Sequence, residues 1–289
     1  MILSEALQSV TQTLRGAKIA DAFVEAEVLL GHVLGMSKTG LYTEPERSLT
    51  LAETERLCHL VRRRLDREPA AHIIGHCEFY GIDFYVNSHT LIPRPETELL
   101  VEKAVELARR ISRQGEQITI ADIGTGCGAI AISLALALPE ARIYATDISP
   151  SALGVAEVNC RRHGVSGRVE LLQGNLLEPL PRAVDVIVAN LPYVKDCEFV
   201  DLSPEVREHE PTIALAGGRD GSDKIREILQ QVRGEGNVRP GGWPAHVLLE
   251  IGLGQGEMVT SLVNQYFPQA SIELISDLGG IERVAKVGL

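Results

Sequence analysis

Asp122-Ile-Gly-Thr-Gly-Cys-Gly-Ala129 is a glycine-rich turn between a short apolar run, residues 118–123, and a longer one, residues 129–138. The first run has the length of a buried strand and the second has the length of a helix. Glycines at such a junction allow a ligand to approach the backbone where the helix begins. The spacing G-x-G-x-G differs from the G-x-G-x-x-G of dinucleotide-binding enzymes. The stretch therefore predicts a strand, a nucleotide-binding turn and a helix.

Strands and helices alternate along the chain downstream of this turn. Such alternation predicts an α/β fold whose sheet is doubly wound and mostly parallel. A glycine-rich segment, residues 234–244, predicts a loop longer than such sheets usually need. The seven predicted strands are residues 118–123, 142–148, 169–173, 184–189, 247–251, 272–276 and 283–287, and the helices between them are residues 129–138, 151–163, 222–233 and 255–266.

The N-terminal part of the chain has a different character. Residues 1 to about 68 carry apolar side chains at helical spacing, and aromatic residues around Gly81 then predict a short hairpin. In the segment Ile92-Pro-Arg-Pro-Glu-Thr-Glu98 the prolines favour an extended backbone, and the acidic residues suit the start of a helix that ends near Ser112. We expect a small helical N-terminal domain at residues 1–75, a β-hairpin connection at 76–92 and the sheet domain at 93–289.

The composition is that of an ordinary soluble globular protein, since 45% of the 289 residues are hydrophobic and 23% are charged. No apolar run is long enough to span a bilayer, and the first residues lack the basic region of a signal peptide. The net charge of −11 argues against a basic protein surface that binds long nucleic acids. We expect a cytoplasmic protein without a membrane or a direct nucleic-acid partner.

Three groups of residues could indicate other binding sites. The five cysteines are dispersed without a C-x-x-C pair, which argues against disulfides and a zinc ribbon. His72 and His76 lie four residues apart, and we interpret them as structural and predict no metal site. The cluster Arg62-Arg-Arg64 with Arg67 has two interpretations. We favour a solvated face near a helix end over a contact for an RNA-associated partner.

Three side chains could complete a nucleotide site. Asp147 ends the second predicted strand, 19 residues after Gly128, where a carboxylate can accept both hydroxyl hydrogens of a ribose. The alternative is that Asp147 caps the helix that begins near Ser149. Asn175 follows the third predicted strand, where its side chain could reach an adenine amino group, and Leu176 could pack on the adenine ring.

The tetrapeptide Asn190-Leu-Pro-Tyr193 follows the fourth predicted strand, at the edge where open α/β sheets bind ligands. A planar NH2 group is a poor nucleophile because its lone pair is delocalised, and it needs acceptors for both hydrogens. The Asn190 side-chain oxygen and the Leu191 carbonyl can supply them. Pro192 stiffens the turn, and Tyr193 offers a flat face for a planar acceptor. With the glycine-rich turn, the tetrapeptide predicts a nitrogen methyltransferase that uses S-adenosylmethionine.

These motifs resemble those of the protein-glutamine N5-methyltransferases that act on peptide-chain release factors, the HemK or PrmC family. The similarity covers nearly the whole chain and includes the closing segment Asp277-Leu-Gly-Gly-Ile-Glu-Arg283. It implies a class I methyltransferase fold and S-adenosylmethionine as cofactor. It also implies a substrate, the glutamine of the Gly-Gly-Gln motif in class I release factors, which the helical domain would help to dock.

Two departures from the family pattern concern the site. The family's tetrapeptide is usually Asn-Pro-Pro-Tyr, so Leu191 keeps the backbone carbonyl but loses the rigidity of one proline. The family often has Asp where this chain has Asn175 and sometimes Trp at Leu176, which affects the adenine contacts more than the chemistry. The predicted catalytic residues are Asn190, Leu191, Pro192 and Tyr193. The predicted cofactor-binding residues are Gly124, Thr125, Gly126, Cys127, Gly128, Asp147, Asn175, Leu176 and Asn190.

The tetrapeptide specifies a planar NH2 acceptor but not the macromolecule that carries it. A ribosomal-protein glutamine methyltransferase and an adenine-N6 nucleic-acid methyltransferase are therefore alternatives, and the acidic net charge opposes the second. A further alternative is a nicotinamide-dependent oxidoreductase with the same type of sheet. The G-x-G-x-G spacing argues against it, because dinucleotide-binding enzymes have G-x-G-x-x-G. A binding module that has lost catalysis through Leu191 would bind the cofactor without methylating any acceptor.

Overall fold

The computed structural model describes residues 1–112, 117–234 and 246–289. The predicted loop at residues 234–244 lies, apart from Gly234, outside the described residues. The described chain divides into two compact units, Met1–His76 with Ser203–His209, and Cys77–Leu202 with Glu210–Leu289. Among the helices that the structure describes, none combines the length and the apolar character needed to cross a membrane.

The first unit consists of helices whose apolar faces share one core. In α1, Leu3–Gly16, the buried side chains Leu3, Leu7, Val10 and Leu14 recur at the three- and four-residue spacing of one helix face. Burying each such side chain contributes about 1.5–3 kcal/mol of hydrophobic free energy. These helices match the pattern predicted for residues 1 to about 68. They are α1 Leu3–Gly16, α2 Ala22–Leu34, α3 Lys38–Thr43, α4 Leu51–Leu65 and α5 Ala70–Ile74.

Two arginines of the predicted solvated cluster hold residues 203–209 within this unit. Arg64 is buried, and its guanidinium forms ion pairs with Glu25 and, at 3.0 Å, with Glu205. Arg67 pairs with the same Glu205 carboxylate at 3.2 Å. The interpretation of a solvated arginine face was therefore wrong for Arg64. Its charge is buried because two carboxylates compensate it, and removing one partner of such a group is costly.

A short hairpin, β1 His76–Phe79 and β2 Ile82–Tyr85, has Gly81 at its turn with a φ of +70°. The long helix that follows the proline-rich segment begins at Thr97. The remaining α-helices and strands are α6 Thr97–Ile111, β3 Thr119–Ile123, α7 Ala129–Ala137, β4 Arg142–Asp147, α8 Pro150–Arg162, β5 Val169–Gln173, β6 Val186–Ala189, α9 Pro204–His209, α10 Asp223–Gly234, β7 His246–Glu250, α11 Gly256–Tyr266, β8 Ser271–Ser276 and β9 Glu282–Gly288.

The seven predicted strands form one sheet with the order β5-β4-β3-β6-β7-β9-β8. Strands β3 to β7 pair in parallel, and β9 runs antiparallel to β7 and β8. The predicted fold class, a mostly parallel doubly wound sheet, is confirmed. The inner strands are buried along almost their whole length, as expected when helices cover both faces of a parallel sheet.

The strand order reverses at β3, which pairs with β4 on one side and with β6 on the other. Ile123 at the end of β3 is in register with Thr146 of β4 and Ala189 of β6. The turns after these three strands therefore open at the same carboxyl edge. Such a reversal is where open α/β sheets bind their ligands.

Candidate active site

An open cleft of about 810 Å³ lies at this edge of the sheet, within the second unit. Eight of the predicted site residues line it: Gly124, Gly126, Asp147, Asn175, Leu176, Asn190, Leu191 and Pro192.

Gly124 and Gly126 present bare backbone to the cleft. Their φ angles of +76° and +58° lie in the left-handed region that favours glycine. A Cβ built on Gly126 would meet no atom within 4 Å, and one built on Gly124 would find Leu191 Cδ2 nearest, at 3.7 Å. Protein atoms therefore leave space in front of both glycines, which suits a ligand that touches the backbone.

The other three residues of the turn support it from behind. Thr125, Cys127 and Gly128 are not among the residues that line the cleft. The Thr125 hydroxyl donates to Asp122 Oδ2 at 2.6 Å, and Cys127 is buried. A Cβ on Gly128 would lie 3.3 Å from Ala156 Cβ, so glycine allows α7 and α8 to pack closely. The structure thus gives these three residues a role in shaping the turn.

Asp147 ends β4 and joins the turn that follows β3. Its Oδ2 accepts a hydrogen bond from Gly126 N and its Oδ1 accepts one from Ser149 N, both at 2.9 Å. Burial raises the pKa of the Asp147 carboxyl above its ordinary value. Each oxygen retains a lone pair for a further donor. The helix cap considered for Asp147 belongs to Ser149, whose Oγ accepts from Ala152 N at 3.2 Å.

We expect Asp147→Ala to weaken S-adenosylmethionine binding by about 10- to 100-fold, the value of a lost charge-assisted hydrogen-bonded pair. Asp147→Asn should fall between wild type and Asp147→Ala because it keeps one acceptor oxygen but loses the charge. Titration calorimetry with S-adenosylmethionine measures the effect, and thermal melting checks the fold. Unchanged affinity in the folded Asp147→Ala protein would refute the role.

A second network holds the loop after β5. Asn175 Nδ2 donates to Glu227 Oε1 at 2.5 Å, and Lys224 Nζ donates to Glu227 Oε2 at 2.7 Å. Because the nitrogen of Asn175 is engaged, its Oδ1 is the atom that can accept from a ligand in the cleft. Leu176 beside it is buried with a φ of +52°, which costs a non-glycine residue about 1–3 kcal/mol.

Asn190 follows β6, and its side chain is fixed by a contact with the start of α6. Asn190 Nδ2 donates to Thr97 Oγ1 at 3.1 Å, so Oδ1 is the atom that can accept from a ligand. A Cβ on Gly124 would lie 3.9 Å from the Asn190 carbonyl oxygen. Leu191 is buried, and within the described parts of the chain no group donates to its carbonyl. Asn190 and Leu191, which carry these two acceptors, therefore line the same cleft as Gly124 and Gly126.

Three glycines, at positions 217, 221 and 252, allow the backbone of other segments to pack closely against Tyr193. A Cβ on Gly217 would lie 2.7 Å from Tyr193 Cα, one on Gly221 would lie 2.5 Å from the Tyr193 carbonyl oxygen, and one on Gly252 would lie 3.1 Å from the ring. Gln255 Nε2 donates to the same carbonyl at 3.2 Å. Tyr193 does not itself line the cleft, so its flat face for the acceptor stays a prediction.

Several residues of this site were missed from the sequence. Thr97 was assigned only to a helix start, and the run Gly217-Gly-Arg-Asp-Gly221 was not singled out although clustered glycines signal close backbone contact. The other missed residues carry no local pattern that indicates a ligand site. The missed residues that line or support the cleft include His89, Thr90, Leu91, Thr97, Pro211, Ile213, Ala214, Gly217, Gly221, Lys224, Gly252 and Gln255.

Two family models match the chain, the PrmC N-terminal domain over residues 5–75 and the Methyltransferase small domain over residues 97–204. A release factor glutamine methyltransferase of Moorella thermoacetica is 40% identical over 284 residues, which cover 98% of this chain and 97% of that protein. The chain belongs to the release factor glutamine methyltransferase family. Another member, from Koribacter versatilis, is 38% identical over 286 residues and covers 98% of this chain and 97% of its own.

Solved structures agree with this family at the level of the fold. The catalytic domain of hMettl16 in complex with a 3′UTR hairpin gives a TM-score of 0.57 at 13% identity, covering 83% of this chain and 82% of that chain. A methyltransferase from Pyrococcus furiosus gives a TM-score of 0.50 at 18% identity, covering 78% and 96%. The fold is therefore that of the class I methyltransferases, as predicted.

Proposed function

We propose that this protein transfers a methyl group from S-adenosylmethionine to the side-chain nitrogen N5 of the glutamine in the Gly-Gly-Gln motif of class I peptide-chain release factors. One observation carries the proposal: Asn190, whose side chain is oriented by Thr97, lines the same cleft as Gly124 and Gly126, so acceptor and methyl donor would meet at one edge of the sheet. The relatives that match nearly the whole chain are named for this activity.

The residues of the cleft suit S-adenosylmethionine. Gly124 and Gly126 leave room for the methionine part against bare backbone. The Asp147 carboxylate has lone pairs for the ribose hydroxyls, and Asn175 Oδ1 can accept from the adenine amino group. Leu176 supplies an apolar surface for the ring. Thr125, Cys127 and Gly128 would act indirectly, by fixing the conformation of the turn.

The bound cofactor supplies an electrophilic methyl group on a sulfonium. The Asn190 side-chain oxygen and the Leu191 carbonyl would accept the two N–H hydrogens of the glutamine amide. These bonds hold the amide plane so that the nitrogen faces the cofactor side of the cleft. Pro192 restricts the backbone, which keeps the Leu191 carbonyl in place. Catalysis then comes from proximity and from hydrogen bonds that are set before the substrate arrives.

The reaction needs no strong base in this scheme. When the amide nitrogen gains a methyl group it becomes cationic and strongly acidic, so it loses a proton readily after the transfer. The protein's task is to orient a weak nucleophile rather than to deprotonate it. This agrees with the contact that orients the Asn190 side chain, which is to the neutral hydroxyl of Thr97.

The partner and the roles of the domains follow from the same proposal. Residues 1–75 would form a domain that helps to dock the release factor, residues 76–92 would connect it, and residues 93–289 would form the methyltransferase domain. The match of residues 5–75 to the PrmC N-terminal domain supports the first assignment. Because release factors act in translation, we propose that the enzyme works in the cytoplasm.

The test is mass spectrometry of a purified class I release factor after incubation with this protein and S-adenosylmethionine. We expect the Gly-Gly-Gln peptide to gain one methyl group on glutamine. A release factor with that glutamine replaced by alanine is the matched control and should gain none. If the cofactor binds but the release factor stays unmodified, the proposal is wrong, and ribosomal proteins and adenine-containing nucleic acids become the acceptors to assay.

A further inference from the structure

Two carboxylates outside the cleft take the hydrogens of the Asn175 amide. Asn175 Nδ2 donates to Glu227 Oε1 at 2.5 Å and to Glu178 Oε1 at 3.3 Å. Asn175 lines the cleft, whereas Glu227 and Glu178 are not among its lining residues. Within the described parts of the chain no group donates to Asn175 Oδ1. The amide therefore has a donor end directed at the carboxylates and an acceptor end left for the cleft.

The charges around this amide keep it from turning over. A carboxylate can only accept hydrogen bonds, and an amide has donors at one end and an acceptor at the other. If the Asn175 amide turned over, its oxygen would face both carboxylates with no hydrogen between them. The hydrogen bond from Asn175, and then the one from Lys224, lower the pKa of Glu227 below its ordinary value. Glu227 is therefore a carboxylate at neutral pH, and one orientation of the amide is favoured.

Helix α10 holds the Glu227 carboxylate in place. Lys224, Glu227 and Gln231 follow one another at three- and four-residue spacing, so they share one face of α10. Lys224 Nζ donates to the second oxygen of Glu227 at 2.7 Å, and Gln231 Oε1 accepts from Leu177 N at 2.8 Å. This face of the helix thus holds the loop after β5 at two neighbouring points. The orientation of Asn175 is set by α10 and not by the loop alone.

We propose that Glu227 is a positioning residue that makes the cofactor site specific for adenine, by fixing the Asn175 amide with its oxygen toward the cleft. The amino group of adenine donates and pairs with that oxygen. Hypoxanthine carries a carbonyl group at the same position, which would set two acceptors against each other. A site whose polar group is left without a partner discriminates against such an analogue. This role of Glu227 rests on the function proposed above, because it places the adenine of S-adenosylmethionine beside Asn175.

Glu227→Gln should weaken this discrimination. Lys224 Nζ can only donate, so it would hold the side-chain oxygen of the new glutamine and leave the glutamine NH2 group facing Asn175. The Asn175 oxygen can then turn to this donor, which presents the Asn175 NH2 group to the cleft and suits a carbonyl group. Glu178 still favours the original orientation, but it is exposed and 3.3 Å away. We therefore expect the variant to accept both purines.

Titration calorimetry with S-adenosyl-L-homocysteine and S-inosyl-L-homocysteine tests this role, since neither compound can donate a methyl group. We expect the wild type to bind the adenosyl compound about 10- to 100-fold more tightly, the value of one lost hydrogen bond with its partner left unpaired. In Glu227→Gln the two dissociation constants should lie within a few fold of each other. Glu257→Gln makes the same change at an exposed site on α11 and should keep the wild-type preference.

The direction of each change separates positioning from damage to the site. A loosened site would bind both compounds more weakly, whereas the expected Glu227→Gln protein binds the inosyl compound more tightly than wild type does. The double variant Asn175→Asp with Glu227→Gln exchanges the carboxylate and the amide. Because the aspartate can only accept, the preference for the adenosyl compound should return. A Glu227→Gln protein that keeps the wild-type preference, or that loses affinity for both compounds equally, would overturn the proposal.

The binding experiment also separates this role from the methyl transfer itself. If release factors stay unmethylated while Glu227→Gln changes the purine preference, the proposed function fails and the role of Glu227 stands. If methylation is normal while the wild type binds both compounds equally, the role of Glu227 fails and the function stands.

Discussion

Replacing Asn190 with alanine is expected to lower kcat for glutamine methylation by about 10²- to 10³-fold, the usual loss when one oriented hydrogen-bonding group is removed from an active site. The variant removes the acceptor oxygen for one substrate N–H and the donor to Thr97. It should leave cofactor affinity within a few fold, because the Gly124 turn and Asp147 are untouched. Single-turnover transfer and cofactor calorimetry on the same preparation separate the two effects.

Two further variants make this test specific. Asn190→Asp keeps an acceptor oxygen but cannot donate to Thr97, so we expect kcat to remain low. Asn264→Ala changes the same residue type on the exposed side of α11 and should behave like wild type. Near-normal turnover by a folded Asn190→Ala protein would show that the tetrapeptide does not hold the acceptor.

Gly217→Ala is expected to have the second-largest effect. Its Cβ would lie 2.7 Å from the Cα and the carbonyl carbon of Tyr193, and these are backbone atoms that cannot rotate away. The backbone after the tetrapeptide must shift, which costs about 1–3 kcal/mol of stability. A displacement approaching 1 Å at a catalytic group can cost about 100-fold in rate. We therefore expect both a lower melting temperature and a loss of kcat.

Gly154→Ala is the matched control for this variant. Gly154 lies inside α8, and a Cβ there would meet no atom within 4 Å. Alanine is favoured over glycine inside a helix by about 0.5–1 kcal/mol, so this variant should be slightly more stable and fully active. Normal activity in Gly217→Ala would show that close packing against Tyr193 does not position the tetrapeptide.

The buried Glu250 carboxyl also predicts how stability depends on pH. Its pKa is raised from 4.5 to about 7, so the folded protein binds this proton more tightly than the unfolded chain does. The contribution of this proton to the free energy of unfolding is fully present below pH 4.5 and is lost as pH rises through 7. At 1.36 kcal/mol per pKa unit, the loss amounts to at most about 3 kcal/mol. Melting curves of wild type and Glu250→Gln should therefore diverge over this range, with wild type losing more. Parallel curves would contradict the raised pKa.

Local patterns were enough to predict the sheet and the main motifs. Each inner strand is a short run of apolar residues that helices cover on both faces, so its hydrophobicity alone reveals it. The glycines at 124 and 126 and the tetrapeptide after β6 are contiguous in sequence and carry their own signals. The strand ends in the structure differ from the predicted ends by at most two residues, because the last residue pairs of a strand depend on the neighbouring strands.

Other features depend on contacts between distant parts of the chain. Arg64 looked solvated because it lies among other arginines, yet it is buried where Glu25 and Glu205 approach it. The sequence also gave no sign that residues 203–209 belong with the N-terminal helices. Local charge patterns do not reveal such pairs, since the compensating carboxylates are 39 and 141 residues away from Arg64.

The sequence by itself determined the α/β class, the strand that precedes Gly124, the Asp147 carboxylate and the Asn190 tetrapeptide, because each depends on neighbouring residues and on the period of apolar side chains. Only the tertiary structure decided which atoms of these motifs are free to act. It joins Asn190 to Thr97, which comes from the start of α6, 93 residues away along the chain. Hydrogen-bond direction is a property of groups that meet in space, and nothing in the order of the residues specifies it.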